Sequence, residues 1–333
     1  MDILIIGGTR HIGYYLTLAL HEAGHTVTVL NRGITRDDLP EAIPRLKADR
    51  TVPAQLEAAL AGRQFDAVVD FVLYNGTEAD VIVDLLHGRV GHYVFISSGQ
   101  VYLLREGINR PFVEDDYAGP TIPEPPLNTY DHEEWSYGMG KRRAEDALMR
   151  AHTERGFPLT TLRLPMVNGG RDPFNRLYGY ILRLRDGGPV LIPDTPDHRL
   201  RHVYVDDVVR AIKGLLENGE GTGTVYNISQ EETLSLTDFL DELGALVGIE
   251  PKVIRVDRSL LEANGFLPDC SPFSDVWMSD LDNTRSKSEL GISYTPLPAY
   301  LQKLVSYYEV DPPRQPVSYR RRHAERQFAA NHA

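Results

Sequence analysis

Tyr137 and Lys141, in the segment SYGMGK, stand four residues apart and so share one face of a helix. A tyrosine hydroxyl can give up or take a proton only if its pKa comes near the working pH. From an ordinary value near 10 that requires a shift of ~3 units, or about 4 kcal/mol. One positive charge ~6 Å away at an effective dielectric of 20 supplies ~3 kcal/mol, so a neighbouring lysine covers most of the requirement. Upstream, the run GHYVFISSGQVY places Ser97 and Ser98 at the end of an apolar segment. A hydroxyl there can orient an alcohol or carbonyl against the tyrosine. A serine, a tyrosine and a lysine in this order are the parts needed to move a proton on and off an oxygen.

These groups need a scaffold, and the chain alternates strand and helix patterns. DILII (2–6), TVTVL (26–30), FDAVVDFV (65–72), GHYVFISS (91–98) and PLTTLRL (158–164) read as buried strands. Between the first two, Ile12, Leu16 and Leu20 recur every four residues, and Gly24 closes that helix. The spacing predicts an α/β protein with a doubly wound parallel sheet. TVYNIS (224–229) reads as one more strand of it. SLTDFLDELGALVG (235–248) reads as an amphipathic helix with Leu236, Leu240 and Leu243 on one face and Ser235 or Thr237 near its start. Residues 103–135, with five prolines from 111 to 126, are expected to make a long surface excursion, and the span 258–280 a loop-rich cap over substrate.

The first turn carries the second piece of chemistry. Strand, then GGTRHIG, then helix is the setting of a dinucleotide fingerprint: a tight turn, backbone close to a pyrophosphate, and a helix N-terminus aimed at it. Gly7 and Gly13 take the first and third glycine positions, Arg10 stands in the middle one, and Gly8, Thr9, His11 and Ile12 complete the loop. The second strand ends in LNRG, with Asn31 and Arg32 and no acid before Asp37. A carboxylate there would bind a ribose 2′-hydroxyl, whereas arginine welcomes a 2′-phosphate. Arg10 and Arg32 are therefore expected to meet at that phosphate, selecting NADP over NAD. Asp49 is placed to accept from the adenine amine. An oxidised nicotinamide beside Lys141 would bring the second positive charge that Tyr137 needs.

Composition sets the remaining bounds. The 333 residues carry a net charge of −12 with 42% hydrophobic and 25% charged residues, as in a water-soluble globular chain. That charge opposes general binding of nucleic acid, and no apolar run is long enough to span a membrane. The start of the chain has no signal-peptide pattern, so a cytoplasmic location is expected. Eleven scattered histidines make no HExxH or Cys/His cluster, so no metal site is expected. The one cysteine, Cys270, excludes an intrachain disulfide and reads as a half-buried structural residue.

With these motifs together, the chain resembles the extended short-chain dehydrogenase/reductase superfamily, the nucleotide-sugar epimerases and dehydratases, over about residues 1–310. GGTRHIG, VFISSGQVY, YGMGK, LTTLRLPMVNGGRDP, HVYVDDVVRAI and TRSKSELGISY carry the resemblance. The GGTR loop is similar to an atypical branch that includes the chloroplast stem-loop RNA-binding proteins. The resemblance implies that Ser98 is the catalytic serine, Tyr137 the acid/base, and Lys141 the residue that holds the nicotinamide ribose and lowers the tyrosine pKa. It implies that Pro165, Met166 and Val167 line the nicotinamide, and by analogy a homodimer. Two departures narrow the substrate. The acid pair of sugar 4,6-dehydratases is replaced by Gly99 and Gln100, which cannot exchange protons at neutral pH. An arginine that would clamp a substrate diphosphate falls on Leu200, flanked by Arg199 and Arg201. Gln100, Asn168, Arg199 and Arg201 remain candidate contacts for a small-molecule substrate.

The expected organisation is a nucleotide-binding domain of residues 1–168 and about 201–230, a substrate domain of about 169–200 and 231–310, and a basic solvated tail, 311–333, with Arg320, Arg321 and Arg322. The expected activity is NADP-dependent hydride transfer at a secondary hydroxyl or ketone, by an epimerase or a reductase. The alternatives are a stem-loop RNA-binding protein and a non-catalytic NADP(H)-sensing regulator.

Overall fold

Ile3, Leu4, Ile5 and Ile6 are apolar without alternation, so the strand they form needs cover on both faces. In the computed structural model, which describes residues 1–35, 37–195, 199–219 and 221–332, that strand is β1 (Asp2–Ile6), inside a parallel sheet. The chain continues through α1 (His11–Glu22), β2 (Thr26–Asn31), β3 (Arg45–Lys47), α2 (Pro53–Leu60), β4 (Phe65–Asp70) and α3 (Gly76–Leu86). Next come β5 (Val90–Ser98), α4 (Gln100–Leu103), α5 (Tyr130–Arg155), β6 (Leu159–Leu164), β7 (Val167–Asn168), α6 (Arg176–Arg185), β8 (Val190–Pro193) and β9 (Val203–Tyr204). The last third holds α7 (Val205–Asn218), β10 (Val225–Asn227), α8 (Leu236–Val247), β11 (Val253–Val256), α9 (Arg258–Ala263), α10 (Thr284–Leu290), α11 (Leu297–Val310) and α12 (Arg322–His332).

Two compact units share these elements. The first comprises residues 1–165, 205–229 and 281–293. Its seven-stranded sheet runs β10-β6-β5-β4-β1-β2-β3, every pair parallel. Strand order reverses at β1, which pairs β2 on one side and β4 on the other, and ligands of doubly wound folds lie at the carboxyl ends beside that switch point. Packing of α3 and α5 buries one face through Leu4, Val68, Phe95, Ala79, Ile82, Ala144 and Leu148.

The expected boundaries shift in three places, the first being residues 166–168, expected with the sheet and found in the second unit. Residues 281–293 belong to the first unit because α10 packs on β10 and the Asn283 amide donates to the Ser229 carbonyl at 2.8 Å. Residues 201–204, expected with the sheet, fall in the second unit, where β9 pairs β7. The excursion is also less of a surface loop than its prolines predict. Phe112 is buried with Val101, Tyr102 and Leu281, and the buried Glu114 carboxylate accepts from the Asn227 amide nitrogen at 2.8 Å. Its residues 130–135 are already helical, with Thr129 capping α5.

The second unit, residues 166–204, 230–280 and 294–333, holds two small parallel pairs, β7-β9 and β8-β11, and packs α8 against α6 and α11. Residues 196–198, expected in a substrate domain, lie outside the described residues, as do 36, 220 and 333. Ser235 is the cap of α8, accepting from the Asp238 amide at 3.1 Å while Asp238 reaches back to the Ser235 amide. The span 258–280 contributes α9 and a buried cluster of Leu261, Phe266 and Cys270, so the thiol is fully buried rather than half-buried.

The basic tail is a correction. Arg320 is exposed, but Arg321 donates to the carbonyls of Asn264 and Gly265, and Arg322 is buried against Asp186 and Glu325. Glu325 in turn takes both Nε and Nη2 of Arg183, at 3.0 and 2.7 Å, in a pair with no exposure. Arg183 also donates to the Gly179 and Ser318 carbonyls, so its charge is fully satisfied. The sequence hides this because the partners lie 142 residues apart. Arg183→Ala leaves Glu325 without this buried partner, and it is expected to cost about 3–5 kcal/mol in urea unfolding.

Candidate active site

The 26-residue helix α5 positions most of the reactive groups. Tyr137, Lys141 and Glu145 follow at four-residue intervals on one face, with Glu134 one turn before Tyr137. Its Gly140, a helix-weakening residue, is there for space: a Cβ would stand 2.3 Å from the Tyr74 carbonyl oxygen. That close approach brings the Tyr74 ring to 6.3 Å from the Tyr137 ring.

The expected trio comes together in the first unit. Ser98, last residue of β5, lies near enough to the Tyr137 hydroxyl to pull its pKa down, and its Oγ accepts from the Gln100 amide at 3.1 Å. Lys141 is 2% exposed, and its ammonium donates to the Ile96 carbonyl at 2.9 Å. The same nitrogen lies 4.9 Å from the ring centres of Tyr74 and Phe95 and 6.0 Å from that of Tyr137. Burial pushes Lys141 down to about 8, against the pull of Asp70. Burial pushes Tyr137 up to about 12, with Ser98 pulling the other way and Tyr74 and Glu134 adding to the rise. Tyr137 is nevertheless 40% exposed, and the lowering that the spacing predicts includes the charge of a bound nicotinamide, so this rise belongs to the ligand-free protein.

Two buried charge networks lie beneath. At the end of β4, Asp70 accepts from Arg50 at 2.8 and 2.9 Å and from the Tyr93 hydroxyl at 2.7 Å, and Glu78 pairs Arg50 at 3.2 Å. Behind Ser98, Ser97 turns away from the reactive edge and donates to Glu145 at 2.5 Å, and Glu145 is held by Arg163 from β6. Arg163 also donates to the Tyr102 hydroxyl at 2.7 Å, and Tyr117 of the excursion stacks between Arg142 and Arg163. The sequence reading missed Arg50, Asp70, Tyr74, Glu145 and Arg163. A signal was present, since an acid closing FDAVVD and an arginine inside LTTLRL are charges in strands otherwise built for burial.

The nucleotide turn fits the group it was expected to hold. A Cβ on Gly13 would lie 2.7 Å from the Gly7 carbonyl oxygen and 2.9 Å from the Gly8 Cα, so the helix can start this close to the turn only on glycine. Thr17 locks the turn by reaching the Gly8 and Gly13 carbonyls at 2.9 and 2.7 Å. Arg10 is the N-cap of α1 in extended backbone (φ −137°), with no side-chain cap, which leaves the first amides available to an anion. The left-handed residue is the next one, His11 (φ 43°), so the missing middle glycine is displaced strain rather than damage. Thr9 is half-buried, Ile12 is buried, and Arg10 donates to Thr35 at 2.5 Å, which ties this loop to the one carrying the exposed Arg32. Asn31 accepts from the Gly33 amide at 2.7 Å, and the Asp49 carboxylate accepts from the Thr51 amide and hydroxyl, which lower its pKa. Pro165 is buried at the end of the first unit.

The other substrate and cofactor candidates belong to the second unit. Val167 is buried in β7. The Asn168 amide meets His202 at 3.1 Å and the Tyr300 hydroxyl at 3.3 Å, and buried Arg201 donates to the Gln230 carbonyl at 3.0 Å. Arg199 is exposed, near enough to Asp238 to lower its pKa beside the larger effect of Ser235.

A parallel sheet that reverses order at a glycine turn and an uncapped helix defines the Rossmann-type dinucleotide-binding proteins. Within that class, the chain belongs to the NAD dependent epimerase/dehydratase family, whose model matches residues 3–229. It is 27% identical over 270 residues to the chloroplast stem-loop binding protein of 41 kDa b of Arabidopsis thaliana, covering 76% of this chain and 65% of that protein's length. It is 24% identical over 252 residues to 2'-dehydrokanamycin reductase of Streptomyces kanamyceticus, covering 74% of this chain and 67% of the reductase. Among solved structures, UDP-glucose 4-epimerase of Thermotoga maritima shares the fold with a TM-score of 0.71, 22% identity, and coverage of 93% of this chain and 99% of that one. The dTDP-glucose 4,6-dehydratase of Bacillus anthracis, in complex with NAD, gives 0.73 at 16% identity, over 93% of this chain and 97% of that one. Among the described residues no helix is long and apolar enough to cross a membrane.

Lys141 has a consequence for stability. Its folded pKa, about 8, lies below the ordinary 10.5, so between those values the unfolded chain binds more protons and stability rises with pH. Below pH 8 the full penalty applies, on the order of 3 kcal/mol. Lys141→Met is expected to unfold at higher urea than the parent at pH 7, with the difference shrinking from pH 8 to 10.5.

Proposed function

We propose that this protein is an NADP-dependent epimerase or reductase acting at a secondary hydroxyl or ketone of a small, sugar-like substrate. One observation carries the reading: Ser98, Tyr137 and Lys141 converge at the carboxyl end of β5 in one unit, with the lysine ammonium 6.0 Å from the tyrosine ring centre and the serine close enough to act on its hydroxyl. A bound nicotinamide would give or accept the hydride. The protein's own part is the proton. Tyr137 donates it to a carbonyl oxygen or takes it from an alcohol, Ser98 steadies that oxygen, and Lys141 offers a cation that is present below about pH 8.

NADP over NAD is supported by Asn31 in place of an acid and by the Arg10–Thr35 bond, which brings the Arg10 loop to the segment bearing Arg32. Sugar 4,6-dehydration is disfavoured because Gly99 and Gln100 occupy the places of an acid pair. A homodimer is part of the proposal by analogy with the family, and a cytoplasmic location by the absence of a signal-peptide pattern. Binding of an RNA stem-loop, suggested by the stem-loop binding in the Arabidopsis relative's name, draws less support. The net charge is −12, and Arg321 and Arg322 of the tail are engaged within their own unit.

The test uses one protein and its variants. NADPH is expected to bind at least tenfold more tightly than NADH, and Arg10→Ala with Arg32→Ala to remove that preference without weakening NADH. Tyr137→Phe is expected to keep NADPH affinity and lose at least 100-fold in turnover. Equal affinity for both cofactors would overturn the NADP assignment. Full turnover by Tyr137→Phe would overturn the mechanism, and binding with no turnover of any ketone by the parent would establish a sensor instead.

A further inference from the structure

Glu134 has no place in the trio, yet it stands one helical turn before Tyr137 on α5, in the i,i+3 relation that puts two side chains side by side. Its carboxylate accepts from the Gln100 side-chain amide at 2.9 Å, and its main-chain carbonyl accepts from the same nitrogen at 3.4 Å. Gln100 is buried, and its backbone amide donates to Ser98 Oγ at 3.1 Å. A hydroxyl that accepts there has one proton left to give, and Tyr137 is near enough for Ser98 to lower its pKa. The chain of contacts therefore runs Glu134, Gln100, Ser98, with Tyr137 one turn beyond Glu134 on the same helix.

We propose that Glu134 is a positioning residue for proton transfer: through Gln100 it sets the Ser98 hydroxyl on Tyr137, and as a negative charge beside that phenol it keeps the site a proton donor to ketones. The inference rests on the reductive reading above. The groups facing Tyr137 are few. Tyr74 comes from the loop after β4, Ser98 from β5, Gln100 from α4, and Lys141 and Glu134 from α5 itself. Asp70, Arg50 and Glu78 act on Lys141 and Tyr74 from the sheet side. Tyr74 and Glu134 are the charge influences that raise Tyr137, after desolvation, and Glu134 is the carboxylate of the two.

The test reads the tyrosine directly. With 3,5-difluorotyrosine at position 137, the ring fluorine resonance is titrated in the full chain without cofactor or substrate. Glu134→Gln is expected to lower the midpoint by about one pH unit, and Glu134→Asp, which keeps the charge, to hold it within about 0.3 unit of the parent. In turnover of a ketone with NADPH, Glu134→Gln should move the alkaline limb of kcat down by the same amount and leave KM within twofold. An unchanged fluorine midpoint overturns the proposal, as does a change in KM with the pH profile fixed, which would make Glu134 a substrate contact. A parent protein that reduces no ketone defeats the proposed function alone, because the fluorine titration still decides the role of Glu134.

Discussion

The first unit is organised around a cation that water does not reach. Lys141 sits with its ammonium on one carbonyl, between aromatic rings, at the junction of α5 with β4 and β5. Placing a charge there is costly, and the surroundings answer with acids that are themselves held by arginines. Asp70 is tied by Arg50, and Glu145 by Arg163. Each link requires its neighbour: the carboxylates offset the lysine, and the arginines keep the carboxylates from overcompensating. The helix presses so close to the β4 loop that only glycine fits at position 140. The result is a reactive edge whose groups have little freedom to rearrange.

This architecture explains why the two ionisable groups of the site move in opposite directions. Burial favours the neutral form of each, so the lysine falls and the tyrosine rises. The two differ in depth, since Lys141 is 2% exposed and Tyr137 40%.

Much of this was legible in the chain. Unbroken apolar runs such as DILII and YVFIS can only be doubly covered strands, and the four-residue spacing of Tyr137 and Lys141 fixes their common face. What escaped was pairing at a distance. Asp70 and Arg50 are 20 residues apart, Glu145 and Arg163 are 18, and Arg183 and Glu325 are 142, and no local pattern joins them. The tail read as solvated for that reason, since three consecutive arginines look like surface until their carboxylates are located. The turn IGGTRHIG was misread in a subtler way. A missing glycine was assigned to Arg10, whereas the backbone is extended there and left-handed at His11. Spacing identifies which residues form a turn but not which of them bears its strain.

The two units are not successive along the chain, and that bears on how the protein is made. The nucleotide-binding sheet starts at residue 2 but draws its last packed helix, α10, from residues 284–290, while the second unit is fastened by α12 at the very end. A domain that closes early can fold while the rest is still being synthesised. Here the buried Glu114 meets its Arg285 partner only after some 170 further residues have been added, and Arg183 waits for Glu325 through 142 more. A nascent chain that stalls before these partners emerge holds unpaired charges in each unit.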